Sequence, residues 1–257
     1  MLISIITINY NDKIGLERTI KSVREQIFTN FEHIIIDGGS NDGSKEVIEA
    51  NKNSFRYWVS EPDNGIYNAM NKGIKAAKGD YLYFLNSGDL LNDSNALKRI
   101  HVHLKHHDMV YFNINVRGEV NHVQECPSEM SFEYLYNDLP PHQSTFIRKT
   151  LFEKYGYYDE SLKIVSDWKF LILALLKYNA TYKHVDDVFS TYYEGGISSR
   201  EGSFEAMEKE RKLVLSSEFP ILMNDLKENF KLKRVIRNLR KSKKINLLVR
   251  LGLIEKF

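Results

Sequence analysis

Four short apolar runs, "LISIITI", "FEHIIID", "RYWVS" and "YLYFL", punctuate the first 85 residues, and the segments between them carry apolar residues at helical spacing. Ile14, Leu16, Ile20, Val23 and Ile27 make one stripe; Ile66, Met70, Ile74 and Ala77 make another, closed by Gly79. "SKEVIEANK" reads as a shorter helix opening at Ser44, a suitable N-cap. A further helix is expected from about Ser94. Strands that alternate with helices in this way pair in parallel, and the helices cover both faces of the sheet. The competing reading is a mixed α+β domain with no ligand crevice.

Beyond residue 108 the alternation weakens. "MVYFNINVRG" and "VNHVQECP" read as antiparallel strands joined near Gly118. Helical patterns follow around Thr150 to Lys154 and from Asp167 to Tyr178, and "ATYKHVDDVFSTYYEGGISS" has strand character before a Gly-Ser loop. Three segments result: 1–110, 111–200 and a polar helical extension, 201–257.

Cys126 is the only cysteine, so no internal disulfide forms, and a reducing compartment suits the chain. "LISIITI" is too short to span a bilayer, and neither a basic segment nor a small-residue cleavage site frames it. The expectation is a cytoplasmic protein. A net charge of +2 implies no general attraction to nucleic acid. The distribution is uneven, however: from Lys231 to Ile254 there are nine Lys or Arg and no Asp or Glu.

In a parallel sheet the carboxyl ends of the strands face a common crevice. Asp37, Asp63 and Asp89 all stand just past such ends, in "DGGSNDG", "EPDNG" and "NSGD". Any one of them alone is an ordinary turn residue. Three together repel unless a cation or a hydroxyl-rich ligand needs them. Neither G-x-x-x-x-G-K-S/T nor G-x-G-x-x-G follows the first strand. Carboxylates can instead accept from a base N–H or ribose hydroxyls, which suits Asp37 and Asp63, or hold a divalent cation on a diphosphate, which suits Asp89.

"SIITINYND", "FEHIIIDGGSNDGS", "SEPDNGIYNAMNKGIKAAKGDYLYFLNSGDLL" and "GISS" together resemble family 2 glycosyltransferases of the GT-A fold, especially bacterial members that make surface polysaccharide. The resemblance spans roughly residues 2–200. It implies an α/β fold with a mostly parallel, Rossmann-like nucleotide-binding sheet, an acceptor-side half and a helical tail. It also implies an inverting transfer of a hexose or N-acetylhexosamine from a nucleotide sugar, a UDP-sugar above all, to a glycan or lipid-linked acceptor.

Residue by residue, the resemblance puts Thr7, Asn9 and Tyr10 in the nucleotide pocket, Tyr10 stacking on uracil. Asp37 bonds the base, Asp63 and Gly65 lie near base and phosphates, and Lys72 follows on the next helix. Asn86, Ser87, Gly88 and Asp89 occupy the D-x-D region. There the sequence departs from the pattern, since Asn86 and Gly88 stand where aspartates are common. Asp89 is left to hold Mn²⁺ or Mg²⁺, and Asn86 to bond sugar or ribose hydroxyls. Asp167 in "VSDWKF" matches the catalytic base that an inverting transfer requires; read alone, it or Ser166 is a helix N-cap. His142 and Gln143 match a position near sugar or acceptor, His142 being equally a plain loop residue, and Arg148 faces either phosphates or solvent. "YYEGGISSR" is expected to close over the donor as a mobile loop. His101, His103, His106 and His107 lack Cys or acid partners at ligand spacing and are not read as a zinc site.

Two other readings remain: a nucleotidyltransferase, for which Lys13 is the only basic residue near the first loop, and a nucleotide-sugar-binding module whose reduced D-x-D marks lost activity. In the tail, Leu232, Val235, Ile236 and Leu239, then Leu247, Leu248, Leu251 and Ile254, make apolar stripes among basic residues. They are either a packed solvated helix or an interfacial helix on anionic membrane, residues 231–254.

Overall fold

The computed structural model describes residues 1–196 and 202–255. Residues 197–201, which include most of "GISSR", lie outside the described residues, so the expected closing loop is not placed. Two compact units are present, Met1–Met207 and Glu208–Phe257.

The first unit begins with the expected alternation: β1 (Ile3–Asn9), α1 (Lys13–Arg24), β2 (Phe31–Asp37), α2 (Ser44–Ala50), β3 (Tyr57–Ser60), α3 (Ile66–Ala76) and β4 (Tyr81–Phe84). β1 pairs in parallel with both β2 and β4, and β2 with β3. All seven residues of β1 are buried, as a central strand covered on both faces requires. Ile3 and Ile5 face one core with Val23 of α1; Ile6 and Ile8 face the other with Met70 and Ile74 of α3. This is the period of two that a strand imposes.

Then come β5 (Leu90–Leu91), α4 (Ala96–Ile100), β6 (Met109–Arg117), β7 (His122–Gln124), α5 (Phe132–Asn137), β8 (Thr145–Arg148), α6 (Lys149–Tyr155), α7 (Ser166–Leu176) and β9 (Tyr182–Tyr193). The sheet order is β3-β2-β1-β4-β8-β6-β9-β5, with β7 beside β6. The β6–β7 pair is antiparallel, as its sequence suggests. Unforeseen is that β6 also runs parallel to β9, and that β4 pairs antiparallel with β8, which carries one sheet from the first half of the unit into the second. The second unit comprises the end of α8 (Ser203–Glu218), α9 (Pro220–Lys241) and α10 (Lys243–Arg250). Among the described residues no helix is long and apolar enough to cross a membrane.

Two local readings change. α1 ends at Arg24, which leaves Ile27 beyond it and exposed, and Ile14 in its first turn faces solvent. Gln26 ends the run because its side chain is engaged elsewhere, accepting from Leu97 N at 3.0 Å and donating to Asp93 O at 2.7 Å. At α2 the cap is Gly43, whose φ of 94° favours glycine, while the Ser44 hydroxyl donates to Asp42 Oδ1 at 2.6 Å.

α3 sits close on β1 because of Gly73. A Cβ there would lie 2.4 Å from Ile6 Cγ2, inside a fully buried layer. Alanine gains about 1 kcal/mol of helix propensity, but overpacking costs about 1–3 kcal/mol. The overpacking term wins, because Ile6 is pinned between β2 and β4. Gly73→Ala is therefore expected to lower the urea midpoint, by up to about 2 kcal/mol of stability; a raised midpoint would show that α3 can retreat.

Candidate active site

Register brings the first polar group together. Asn9 pairs with Asp37 across β1 and β2, and Asp37 with Ser60 across β2 and β3, so three polar residues end three adjacent strands. Asp37 accepts from Asn9 Nδ2 at 2.7 Å, Ser60 Oγ at 2.6 Å, Ser40 Oγ at 2.5 Å and Ser40 N at 3.0 Å. Burial alone would raise its pKa, but these donors together hold it below the usual carboxylate range. Asp37 is fully buried. It is thus a hub that shapes the strand edge at which the base is expected to lie. Asn9 orients it. Thr7 is fully buried; it donates to Leu85 O at 2.8 Å and meets His33 Nε2 at 3.0 Å. Both contacts are inside the sheet.

What the edge offers is a slot. The Tyr10 ring is 68% exposed and lies over Gly38, where a Cβ would come within 3.1 Å of Tyr10 Cδ2 and 2.6 Å of Asp63 Oδ2. Ring and carboxylate therefore converge on one glycine. Asp63 Oδ1 accepts from Gly65 N at 2.9 Å, and Gly65, at φ 115°, turns the chain into α3 with open space before it. Lys72 reaches the same loop from α3: its ammonium is 2.7 Å from Glu61 Oε1 and 3.4 Å from Pro62 O, the two residues before Asp63.

The "NSGD" loop folds onto the start of α1. The Thr19 hydroxyl accepts from Gly88 N at 3.1 Å and donates to Asp89 O at 2.6 Å, while Ser87 Oγ donates to Asp12 Oδ2 at 3.1 Å. Asp12 caps α1 through Gly15 N at 3.0 Å. Gly88 needs its glycine, at φ 95°. The Asp89 carboxyl turns inward, toward Tyr193 N at 3.4 Å and the Gln143 side chain. Burial pushes its pKa up to about 8. Gln143 is itself buried, its backbone oxygen accepts from Tyr83 and Ser190, and its side chain supports Asp89.

Among the described residues no three His, Cys, Asp or Glu side chains gather to hold a metal. One carboxylate still suits a hard cation that takes the rest of its shell from phosphate oxygens and water. Asp89 fits that part once it loses its proton, so binding a cation there would release one.

The second polar group joins the two halves of the unit. Asp167 sits in the first turn of α7, whose cap position is Val165, so neither Asp167 nor Ser166 is the N-cap. Its Oδ1 accepts from Tyr67 OH at 2.9 Å and Trp168 N at 2.9 Å. Its Oδ2 lies 3.9 Å from His142 Nδ1, and His142 Nε2 is 2.9 Å from Asn86 Nδ2. A line of contacts thus runs from the loop after β4 through His142 to a carboxylate that remains 17% exposed. Among the described residues, Asn86 Oδ1 and Ser166 Oγ, both buried, have no partner. Burial lowers the His142 pKa against the pull of Asp167, which keeps the ring neutral. Tyr67, by burial and by the charge of Asp167, is raised well above its ordinary value and stays a donor.

The structure therefore unites Tyr10, Asp63 and Gly65 in one group and Asn86, His142 and Asp167 in another. Arg148 lies elsewhere, over the Tyr81 ring and beside Asp108. Sequence reading missed Asp12, Gly38 and Tyr67. Asp12 had a usable signal, a capping residue before a helical stripe; Tyr67 is hidden beside that of α3.

Residues 4–163 match the family described as glycosyl transferase family 2. A Mycobacterium tuberculosis protein described as an uncharacterized glycosyltransferase is 36% identical over 180 residues, 68% of this chain and 69% of that protein. A Mycobacterium bovis PGL/p-HBAD biosynthesis glycosyltransferase is 28% identical over 205 residues, 77% of this chain and 79% of its own. Among solved structures, S. aureus TarS 1-349 in complex with UDP-GlcNAc gives a TM-score of 0.64 at 20% identity, covering 84% of this chain and 71% of that one. The mannosyltransferase PcManGT from Pyrobaculum calidifontis, in complex with GDP-Man and Mn²⁺, gives 0.58 at 15% identity, covering 74% and 56%.

Proposed function

The chain belongs to glycosyl transferase family 2 and has the GT-A fold, and from that premise we propose that it moves a hexose or N-acetylhexosamine from a UDP-sugar to a glycan or lipid-linked acceptor, with inversion, in polysaccharide biosynthesis. The observation that carries this reading is the exposed edge of Asp167, held by Tyr67 and linked through His142 to the loop after β4. The base slot is Tyr10 with Asp63. TarS with UDP-GlcNAc and PcManGT with GDP-Man support a nucleotide-sugar donor.

In the proposed step the Asp167 carboxylate takes the proton of an acceptor hydroxyl as its oxygen attacks the anomeric carbon. The bond from that carbon to the diphosphate oxygen breaks, and UDP leaves with the electron pair. Asp89 would hold a Mn²⁺ or Mg²⁺ shared with the diphosphate, and such a cation offsets the charge that develops there. A panel of UDP-glucose, UDP-galactose and UDP-N-acetylglucosamine, assayed for UDP release and for the anomer formed, tests the reading. Release from none of them, or a retained anomer, overturns it.

The acceptor side bears on the basic tail. Leu232, Val235, Ile236 and Leu239 recur along α9 at helical spacing, each at least 38% exposed, and Leu247 and Leu251 continue the pattern in and after α10. Exposed leucines beside nine basic residues suit the surface of an anionic bilayer, at the cytoplasmic face of the cell membrane in this reading. Vesicles containing phosphatidylglycerol are expected to float the full chain at low salt and release it at high salt. Equal flotation after removing residues 231–257 would sink the idea.

A further inference from the structure

Resting on the role given to Asp167, we propose that His142 is a positioning residue, which transmits the arrangement of Asn86 on the donor-side loop to the carboxylate of the base. The geometry assigns its two nitrogens different tasks. Asn86 Nδ2 can only donate, so at 2.9 Å it requires a lone pair on His142 Nε2. The ring proton then sits on Nδ1, the nitrogen 3.9 Å from Asp167 Oδ2. Reversing the Asn86 amide would put the proton on Nε2 and leave an Nδ1 lone pair facing a carboxylate, a repulsive contact. Asp167 therefore selects the amide orientation as well as the tautomer.

A neutral donor is the useful one at this position. An imidazolium would hold the carboxylate more strongly but would lower its affinity for the acceptor's proton. The 3.9 Å separation exceeds a hydrogen bond, so the contact has room to tighten. Asn86 Oδ1, buried and without a partner among the described residues, is the remaining polar atom of the relay. A hydroxyl of the transferred sugar has the chemistry to satisfy it, and its arrival at Asn86 would be passed through His142 to the base. Trp168 N and the Tyr67 hydroxyl, which is shared with Ile164 O, hold the other carboxylate oxygen, so His142 adjusts one side of an anchored group.

Two measurements test this. Long-range ¹H–¹⁵N correlation of the full chain, with His142 identified among the eight histidines by its absence in His142→Gln, is expected to show a neutral Nδ1–H tautomer at pH 7. An Nε2–H tautomer or an imidazolium overturns the relay. This readout needs no substrate, so it stands apart from the donor assignment: a wild type without UDP affinity would defeat the proposed function and leave the tautomer result intact. With an active donor, His142→Leu is expected to lower kcat by about 100-fold while donor KM changes less than about threefold. His142→Gln, which keeps one acceptor and one donor, is expected to recover at least about tenfold of that loss. Equal losses in the two variants, or a rise in KM matching the fall in kcat, would assign His142 to packing or binding and overturn the proposal.

Discussion

Asp167→Asn is expected to lower transfer turnover by about 10²–10⁴-fold and to leave UDP affinity within about threefold of wild type. Asparagine is nearly isosteric, and its carbonyl oxygen can still accept from Tyr67 OH and Trp168 N, which now hold Oδ1 at 2.9 Å. What it cannot do is take a proton. The lost negative charge in the first turn of α7 costs about 0.3–1 kcal/mol through the helix dipole, a stability change too small to mimic inactivation. Initial rates of UDP release, paired with calorimetry of UDP binding, separate the two effects. Turnover unchanged in the variant would remove Asp167 from the chemistry and reduce it to a helix-start charge.

Asp89→Asn is expected to change the pH dependence of stability itself. The folded protein holds the Asp89 proton up to about pH 8, because burial opposes the charged form. The unfolded chain releases it near the ordinary carboxylate value of 3.8. Between these limits the folded state binds the extra proton, so stability falls as pH rises, by about 1.4 kcal/mol per unit from this group. The contribution is fully present below pH 4 and lost as pH passes through about 8; across the window it is on the order of 5 kcal/mol. Asparagine has no proton to lose, so the variant should match wild type near pH 4 and be more stable at pH 8. Asp37 works in the opposite sense, its pKa being lowered, but it is common to both proteins and cancels in the difference. Urea midpoints from pH 4 to 8.5 give the comparison, and a constant difference across that range would contradict a buried, protonated Asp89. The same variant should lose the metal-dependent part of UDP binding.

How much of this was legible beforehand depends on the range of the interaction. The parallel order of β1 to β4 follows from β-branched runs and helical stripes, which are local. Gly65 and Gly88 are legible too, since a strand-to-loop break ending in glycine announces an unusual backbone. Side-chain direction was not legible. Asp37 and Asp89 stand at strand ends as the sequence suggests, yet one is saturated by Asn9, Ser40 and Ser60 and the other turns toward Tyr193 and Gln143. Residue type at a strand end says nothing about which way a carboxylate packs. The pairing of Lys72 with Glu61, eleven positions earlier, was not legible either. Asn86, His142 and Asp167 are brought together by pairings of β4 with β8 and by α7, across 81 positions of sequence. Only the fold makes them neighbours.

The central claim is that Tyr10, Asp63 and the loop of Asp89 form a donor pocket for a nucleoside diphosphate. Calorimetric titration of UDP into the full chain, first with Mn²⁺ and then with a chelator, tests it most directly. The account predicts saturable binding with Mn²⁺, weakened strongly by the chelator and accompanied by proton release as Asp89 ionises. No binding of UDP in either condition would contradict it.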